Sequence, residues 1–319
     1  MKSSPEHRST KNRRRQAMFM MFAVVAVWGS TFVLVKDALS DVSPLLFNLL
    51  RMALAFCCLA LVYRTQWNRL TPRAYRGGAV VGFFLAMGYQ FQTTGLLLTT
   101  PSKSAFLTGL TVVMVPLLAA FPGLRSPETA TPRWNVWLGA ALAFAGIVLL
   151  TTPPNGAASG LGFSSFGRVN KGDILSLMCA FGFALQIIAQ DHFSRAGNRQ
   201  RSHRVPFEQL ALLQIGFATL FMAITSPLFE KPYVHFSAQF TAALIVAALL
   251  ATAAAFSIMS WAQHLLPPAQ MALILAIEPV FAWLTSLIVL HQGLSGLATL
   301  GALLILAGIA AAERIGTRI

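Results

Sequence analysis

Two nine-residue stretches decide the fold: Gly139-Ala-Ala-Leu-Ala-Phe-Ala-Gly146-Ile and, 162 positions later, Gly301-Ala-Leu-Leu-Ile-Leu-Ala-Gly308-Ile. Six of the nine positions are identical, and each stretch holds two glycines seven residues apart. Upstream, Pro116 in VVMVPLLAA corresponds to Pro279 in LAIEPVFAW at an offset of 163. Similarity at one fixed offset indicates an internal repeat, so the chain is predicted to consist of two similar halves.

The composition around this repeat excludes a water-soluble domain. Apolar residues make up 56% of the 319 residues and charged residues only 11%, whereas about 25% charged residues is usual. So few charges cannot cover a surface that faces water. The sequence therefore predicts an all-α integral membrane protein.

The spans are predicted from apolar stretches of roughly 20 residues, the length needed to cross a hydrocarbon core about 30 Å thick. Ten such stretches are found, at 18–36, 45–63, 75–98, 102–122, 134–152, 173–192, 207–227, 237–263, 268–290 and 293–313. They form a first repeat of five helices at 18–152 and a second at 173–313. An external linker at 153–172 joins the repeats, and short tails lie at 1–17 and 314–319.

Lysine and arginine concentrate on the cytoplasmic side of membrane proteins, which gives an orientation. With the N-terminus inside, 18 of them fall in predicted cytoplasmic segments, five in outer segments or at the outer ends of spans, and one, Arg51, well inside a span. Both termini are therefore predicted to be cytoplasmic. The basic run from Lys11 to Arg15 lies beside the first span, which favours contact with anionic lipid over nucleic acid.

Five helices per repeat is an odd number, and this has a topological consequence. A half that starts inside and ends outside must be followed by a half that starts outside. The two halves are therefore expected to have inverted topology, with a site near the bilayer midplane at their interface. The glycines of the repeated stretches are expected to pack helices closely.

The order of several motifs resembles the drug/metabolite transporter superfamily, specifically its EamA-like ten-helix permeases. The motifs are Trp28-Gly29-Ser30-Thr31-Phe32, Leu50-Arg51, the stretch from Gly88 to Leu118, Glu278-Pro279-Val280-Phe281-Ala282, and the paired glycine helices. The resemblance implies an inner-membrane carrier that works by alternating access, often as an exporter. One departure is His291-Gln292-Gly293, where family members often carry Gly-Glu.

Two ionisable residues within spans are the leading site candidates, because a charge in hydrocarbon costs at least about 2.5–3.5 kcal/mol. Glu278 would bind a cationic substrate group or a coupling proton, or else play a structural role, paired with a base such as Arg51 or capping freed backbone near Pro279. Arg51 would hold an anionic group such as a carboxylate, or else pair with an acid or reach the outer interface.

Other polar and aromatic residues in the spans are weaker candidates. Gln90 and Gln186 would line a polar cavity or hydrogen-bond neighbouring helices. Trp28, Thr31 and Trp283 would form an aromatic and polar wall or only pack. Lys103 would act at an outer gate or extend to the interface.

No phosphate-binding loop, catalytic carboxylate pair or metal-ligand spacing is found, so no enzyme activity, cofactor or metal is predicted. The expected function is a secondary transporter that exports a small metabolite, amino acid or drug. An uptake permease on the same fold and a non-transporting membrane assembly protein remain alternatives. The expected partners are a small-molecule substrate and the lipid bilayer, and the chain is expected to be a monomer or a homodimer.

Overall fold

The structure is a computed structural model that describes residues 5–98, 107–126, 129–151, 171–195, 204–289 and 296–316. Some of the predicted features lie outside the described residues. They are Lys103, most of the linker at 153–172, the departure at 291–293, and the side chains of Lys36 and Trp283.

The described chain is helical. Its helices are α1 Pro5–Ala38, α2 Pro44–Val62, α3 Pro72–Leu98, α4 Thr111–Ala120, α5 Trp134–Thr151, α6 Lys171–Arg195, α7 Phe207–Phe229, α8 Ala238–Gln263, α9 Pro268–Leu275, α10 Glu278–Val289 and α11 Gly296–Gly316. A short 3-10 helix, Arg64–Arg69, joins α2 to α3. Within the described ranges, the only extended pairing is one isolated bridge, between Val42 and Val234.

Helices α2, α6, α7 and α8 are each long and apolar enough to cross a membrane. Their outer faces carry large apolar side chains such as Leu61 and Leu228, which are more than 70% exposed. Helix α1 begins at Pro5, 13 residues before the first predicted span. Residues 6–17 contain no glycine or proline and are rich in lysine, arginine and glutamine, so nothing in them ends the helix early.

The two repeated stretches pack directly against each other. Gly139 of α5 lies against Gly308 of α11, and Gly146 lies against Gly301, so the two helices run antiparallel. A Cβ atom on Gly146 would lie 2.5 Å from the carbonyl oxygen of Gly301. The glycines are therefore required for close approach of the two backbones.

Helix α3 packs against both α6 and α7. Gly88 and Gly95 of α3 lie against Phe183 and Ser176 of α6, so these two helices are antiparallel. Gly82 approaches α7, where an added Cβ would lie 2.6 Å from the Gln214 carbonyl oxygen. Small residues thus bring three helices together around the middle of the molecule.

Two helices that reach the centre are irregular there. Helix α8 is π-helical from Leu249 to Ala254. Helices α9 and α10 lie end to end and are separated by a turn at Ala276 and Ile277, just before Pro279. Proline lacks the N–H that would continue the hydrogen-bond ladder, which accounts for this break. In such irregular segments, backbone N–H and C=O groups that a regular helix would pair can form other hydrogen bonds inside the bundle.

The connection between α1 and α2 is hydrogen-bonded to the connection between α7 and α8 at one end of the bundle. Backbone hydrogen bonds join His235 N to Asp41 O at 2.7 Å and Ser43 N to Tyr233 O at 3.0 Å. The carboxylate of Glu230 accepts hydrogen bonds from the first backbone N–H groups of α2, those of Leu45 and Leu46. A carboxylate at this position satisfies free donors and complements the helix dipole.

Candidate functional site

A central cavity of about 200 Å³ lies where the irregular segments of α8 and α9–α10 face α1, α2, α3 and α6. Aromatic side chains form much of its wall, among them Trp28, Phe183 and Phe256. The polar residues that line it include Asn48, Arg51, Tyr89, Thr93, Gln186 and Glu278.

Arg51 is held in the cavity wall by hydroxyl groups. It is 6% exposed, and its Nη2 donates to Thr252 Oγ1 at 3.0 Å and to Tyr89 OH at 3.4 Å. The guanidinium carbon lies 4.6 Å from the centre of the Tyr89 ring, in cation–π contact. Among the described residues, Nη1 has no hydrogen-bond partner. Arg51 therefore has a fixed position and a free donor group.

Glu278 is the first residue of α10, immediately after the helix break. Its carboxylate accepts no hydrogen bond from the part of the chain that the structure describes, and it forms no ion pair with Arg51. Glu278 and Arg51 are therefore not paired with each other in this structure. Instead, two groups of opposite charge share one cavity without direct contact.

Trp28 connects α1 to the π-helical segment. Its indole Nε1 donates to the carbonyl oxygen of Ala251 at 2.7 Å, and its ring lies 5.6 Å from that of Phe256. The adjacent Gly29 leaves room for α10, because a Cβ there would lie 2.9 Å from the carbonyl oxygen of Glu278. The Trp-Gly pair thus sets the distance between α1 and the segment that carries Glu278.

A network of buried side chains closes one end of the cavity. Gln186 donates to Gln190 at 2.7 Å and to Gln214 at 3.3 Å. Gln190 and Gln214 both donate to Ser260 Oγ, at 3.0 and 2.9 Å. All four side chains are 1% exposed or less, and they join α6, α7 and α8. We call these four residues the glutamine layer.

A second contact lies beyond the glutamine layer. Asp191 accepts a hydrogen bond from Thr129 at 2.6 Å and forms an ion pair with Arg195 at 2.6 Å. Arg195 also donates to the carbonyl oxygen of Gln263, the last residue of α8. At the next position, burial and then neighbouring arginine charges lower the pKa of His264 to about 4, so it is neutral at pH 7. Beyond the glutamine layer, these contacts therefore connect α6 to the end of α8 and to the connection before α5.

Substitution of Ser260 by alanine is expected to lower the free energy of unfolding by roughly 1–2 kcal/mol, because two buried amides lose their shared acceptor. The measurement is unfolding in mild detergent. The matched control is Ser257→Ala on the same helix, since the one hydrogen bond of Ser257 Oγ among the described residues goes to Ala253 O, within α8. It should cost less than about 0.5 kcal/mol, and equal losses would contradict the role of the layer.

The structure brings five of the predicted site residues to one cavity: Trp28, Thr31, Arg51, Gln186 and Glu278. Gln90 is not among the lining residues, because its Nε2 donates to Thr225 of α7 at 2.6 Å. The side chain of Trp283 and the whole of Lys103 lie outside the described residues. The roles of all eight in binding or coupling stay predictions.

Two residues that position Arg51 were not predicted from the sequence. Tyr89 belongs to the stretch Gly88-Tyr89-Gln90-Phe91-Gln92, in which Gln90 was predicted as a site residue and Tyr89 was not. Thr252 lies in an apolar run, Leu249–Ala254, and it turns toward Arg51 from within the π-helical segment. A hydroxyl within a span opposite a buried arginine is the feature that would have indicated both.

A bundle of apolar helices around a polar, charged cavity defines a multi-pass membrane protein of the kind that carries small molecules. The family comparison agrees with this class. A model of the EamA-like transporter family matches the chain twice, at residues 15–152 and 170–312. The chain belongs to this family, which points to a transporter rather than an enzyme.

Similar proteins extend over nearly the whole chain. An uncharacterized transporter of Archaeoglobus fulgidus is 30% identical over 299 residues, which cover 93% of this chain and 85% of that protein. The uncharacterized transporter YoaV of Bacillus subtilis is 23% identical and covers 92% of this chain and 95% of its own length. A solved crystal structure matches with a TM-score of 0.75 over 95% of this chain and 98% of the other, at 20% identity. That likeness shows the fold.

Proposed function

We propose that the protein is a secondary transporter of the inner or plasma membrane that exports a small metabolite, amino acid or drug by alternating access. The observation that carries the proposal is the central cavity, in which the Arg51 guanidinium and the Glu278 carboxylate face a common space without forming an ion pair. Unpaired charges inside a bundle are costly, and ligand binding is the usual reason for keeping them.

The proposed topology is ten spans in two inverted repeats, with α9 and α10 as the two halves of one span. Packing across the halves supports it. An offset of 162 exchanges Gly139 with Gly301 and Gly146 with Gly308, and it converts the contact between Gly139 and Gly308 into that between Gly301 and Gly146. A pseudo-two-fold axis in the membrane plane relates helices in this way.

Other helix contacts obey the same exchange of halves. Helix α1 packs on α8 as α6 packs on α3, and α3 packs on α7 as α8 packs on α2. The contact between α4 and α6 is paralleled by that between α9–α10 and α1. This pattern supports the inverted repeat, and the distribution of lysine and arginine supports cytoplasmic termini with the basic N-terminus near anionic lipid.

The chemistry of the cavity favours a substrate with one cationic and one anionic group. Arg51 presents a free Nη1 to a carboxylate or phosphate, and Glu278 presents an acceptor to an ammonium group. Trp28, Phe183 and Phe256 supply apolar surface for the remainder of the molecule. With a volume of about 200 Å³, the cavity suits a ligand of amino-acid size.

Closure at one end supports alternating access. In the proposed orientation, the glutamine layer and the contact between Asp191 and Arg195 lie on the cytoplasmic side of the cavity. Opening that side requires these hydrogen bonds to exchange partners while one repeat moves against the other. The structure then corresponds to a state closed to the cytoplasm.

The test is growth and efflux on a panel of amino acids, purines and toxic compounds. A bacterial host that overexpresses the protein is compared with a strain that lacks it. Export predicts raised resistance and faster loss of preloaded labelled compound from the overexpressing cells. Faster accumulation of the same compound would instead assign uptake, and no flux of any compound from proteoliposomes would leave only a non-transporting role.

A further inference from the structure

A second cavity, of about 730 Å³, lies at the end of the bundle where α3 and α7 begin and α6 ends. The residues that line it come from the start of α3 and the connection before it, the last turn of α6, and the start of α7 and the connection before it. They are Arg69, Thr71, Pro72, Arg73, Arg76, His192, Phe193, Arg204, Val205, Pro206 and Gln209. We call this cavity the basic pocket.

The basic pocket is strongly positive. Four arginines, at positions 69, 73, 76 and 204, contribute to its lining, and no aspartate or glutamate is among the described residues that line it. Helices α3 and α7 both start at the basic pocket, so the positive ends of two helix dipoles add to its positive potential. The opposing C-terminus of α6 is partly neutralised, since the Phe193 carbonyl accepts a hydrogen bond from Val205 N.

Two buried polar atoms in the lining have no hydrogen-bond partner among the residues that the structure describes. Arg73 Nε is a donor without an acceptor, and its guanidinium lies 5.9 Å from the Phe193 ring centre. Gln209 is 3% exposed and Oε1 of its side chain is an acceptor without a donor, although its Nε2 donates to Gln66 and to the Arg69 carbonyl oxygen. Buried polar groups are normally satisfied, so this pair indicates a missing ligand that both donates and accepts.

The other half of the molecule shows what such a helix start requires. Helix α2 begins at Pro44 and its first N–H groups bind the carboxylate of Glu230. At an offset of 163, the equivalent helix is α7, which begins at Phe207. Its preceding residue, Pro206, provides no side-chain cap, and the position equivalent to Glu230 is Trp67. The basic pocket therefore lies at the start of α7, which is equivalent to the start of α2, where Glu230 supplies an anion.

We propose that the basic pocket binds the phosphodiester group of an anionic phospholipid, with phosphatidylglycerol as the best chemical fit. Its phosphate accepts from arginine in the bidentate manner that guanidinium groups favour, and its glycerol hydroxyl donates to an acceptor such as Gln209 Oε1. Basic pockets between helix ends on the cytoplasmic side bind lipid head groups in this way.

The surroundings favour lipid over free phosphate as the source of the anion. Trp67 and Tyr75, each within two residues of a pocket arginine in the sequence, are 41% and 46% exposed. Exposed tryptophan and tyrosine are typical of the level of the head groups. This inference depends on the proposed function only for the orientation of the chain in the membrane. That orientation places the basic pocket at the cytoplasmic leaflet, which is the source of the lipid.

The test is lipid binding to the delipidated full-length protein in neutral detergent, measured by native mass spectrometry. Phosphatidylglycerol is compared with phosphatidylcholine, and inorganic phosphate is added as competitor. The proposal expects selective retention of phosphatidylglycerol, and it expects Arg73→Gln with Arg76→Gln to weaken this binding about 25-fold, at about fivefold per arginine. The matched control is Arg64→Gln with Arg133→Gln, which removes the same charge outside the lining.

Each outcome decides between sources of the anion. Equal weakening by the control pair, or equal retention of the two lipids by the unsubstituted protein, overturns the proposal, and the second result does not depend on any variant. Displacement of phosphatidylglycerol by millimolar inorganic phosphate supports a phosphate site but overturns the lipid source. Arg73→Lys with Arg76→Lys keeps the charge and should lose less affinity than the glutamine pair. Because no transport is measured, failure here leaves the proposed function unaffected.

Discussion

Glu278→Gln is expected to reduce transport at least about thirtyfold while the protein is inserted at its normal level. The glutamine has nearly the same size and keeps the start of α10, but it removes the only carboxylate among the described residues of the central cavity. Loss of one partner from a buried charged contact costs 2–5 kcal/mol or more, which corresponds to a factor of about thirty or greater. The measurement is efflux of the compound that the growth panel identifies.

The control for this prediction is Asp37→Asn, because Asp37 is an exposed carboxylate near the end of α1 that is not among the residues lining the cavity. It should transport normally. Arg51→Gln separates recognition of the two substrate charges, since it should affect anionic substrates and leave a purely cationic one transported. Full activity of a normally inserted Glu278→Gln protein would assign Glu278 a structural role.

Gly146→Val is expected to prevent stable folding, with a loss of about 3 kcal/mol or more. The first added carbon would lie 2.5 Å from a backbone oxygen of Gly301, and backbone cannot move aside as a side-chain end can. Helices α5 and α11 would have to separate along the contact. The measurements are the yield of monodisperse protein after extraction and the midpoint of thermal unfolding in detergent.

Two further substitutions make this test specific. Gly308→Val should be nearly as damaging, because its Cβ would lie 2.6 Å from the Gly139 carbonyl oxygen. Gly123→Val is the matched control, since nothing lies within 4 Å of a Cβ at that position. If the Gly146→Val and Gly308→Val proteins have the same midpoint of thermal unfolding as the Gly123→Val protein, the close contact between α5 and α11 is not required for stability.

The sequence was sufficient to predict a helical membrane protein because composition and repeat spacing do not depend on how helices are rotated. The cavity residues were harder to predict for that reason. Gln90 and Gln92 are two positions apart, so they point in nearly opposite directions on α3. Gln92 lines the cavity and Gln90 binds Thr225, and no pattern in the sequence distinguishes the two faces.

The irregular segments show the same limit. A proline within a span marks a local disruption, and the helix breaks just before Pro279. The π-helical turn at Leu249–Ala254 contains no glycine or proline that would mark it in the sequence. What distinguishes it is its tertiary contacts with Trp28 and Arg51, which the sequence does not reveal. Glu278 and Arg51 were found from the sequence because their charge is costly anywhere in hydrocarbon.

The contact between α5 and α11 also bears on how the gene has changed. When a segment is duplicated, each copy ordinarily drifts on its own, and likeness between the copies fades. Here each glycine stretch is the surface on which the other rests, so a larger residue in either copy is opposed by both. The same steric limit therefore applies at equivalent positions of both copies, and six of the nine residues in the two stretches are identical.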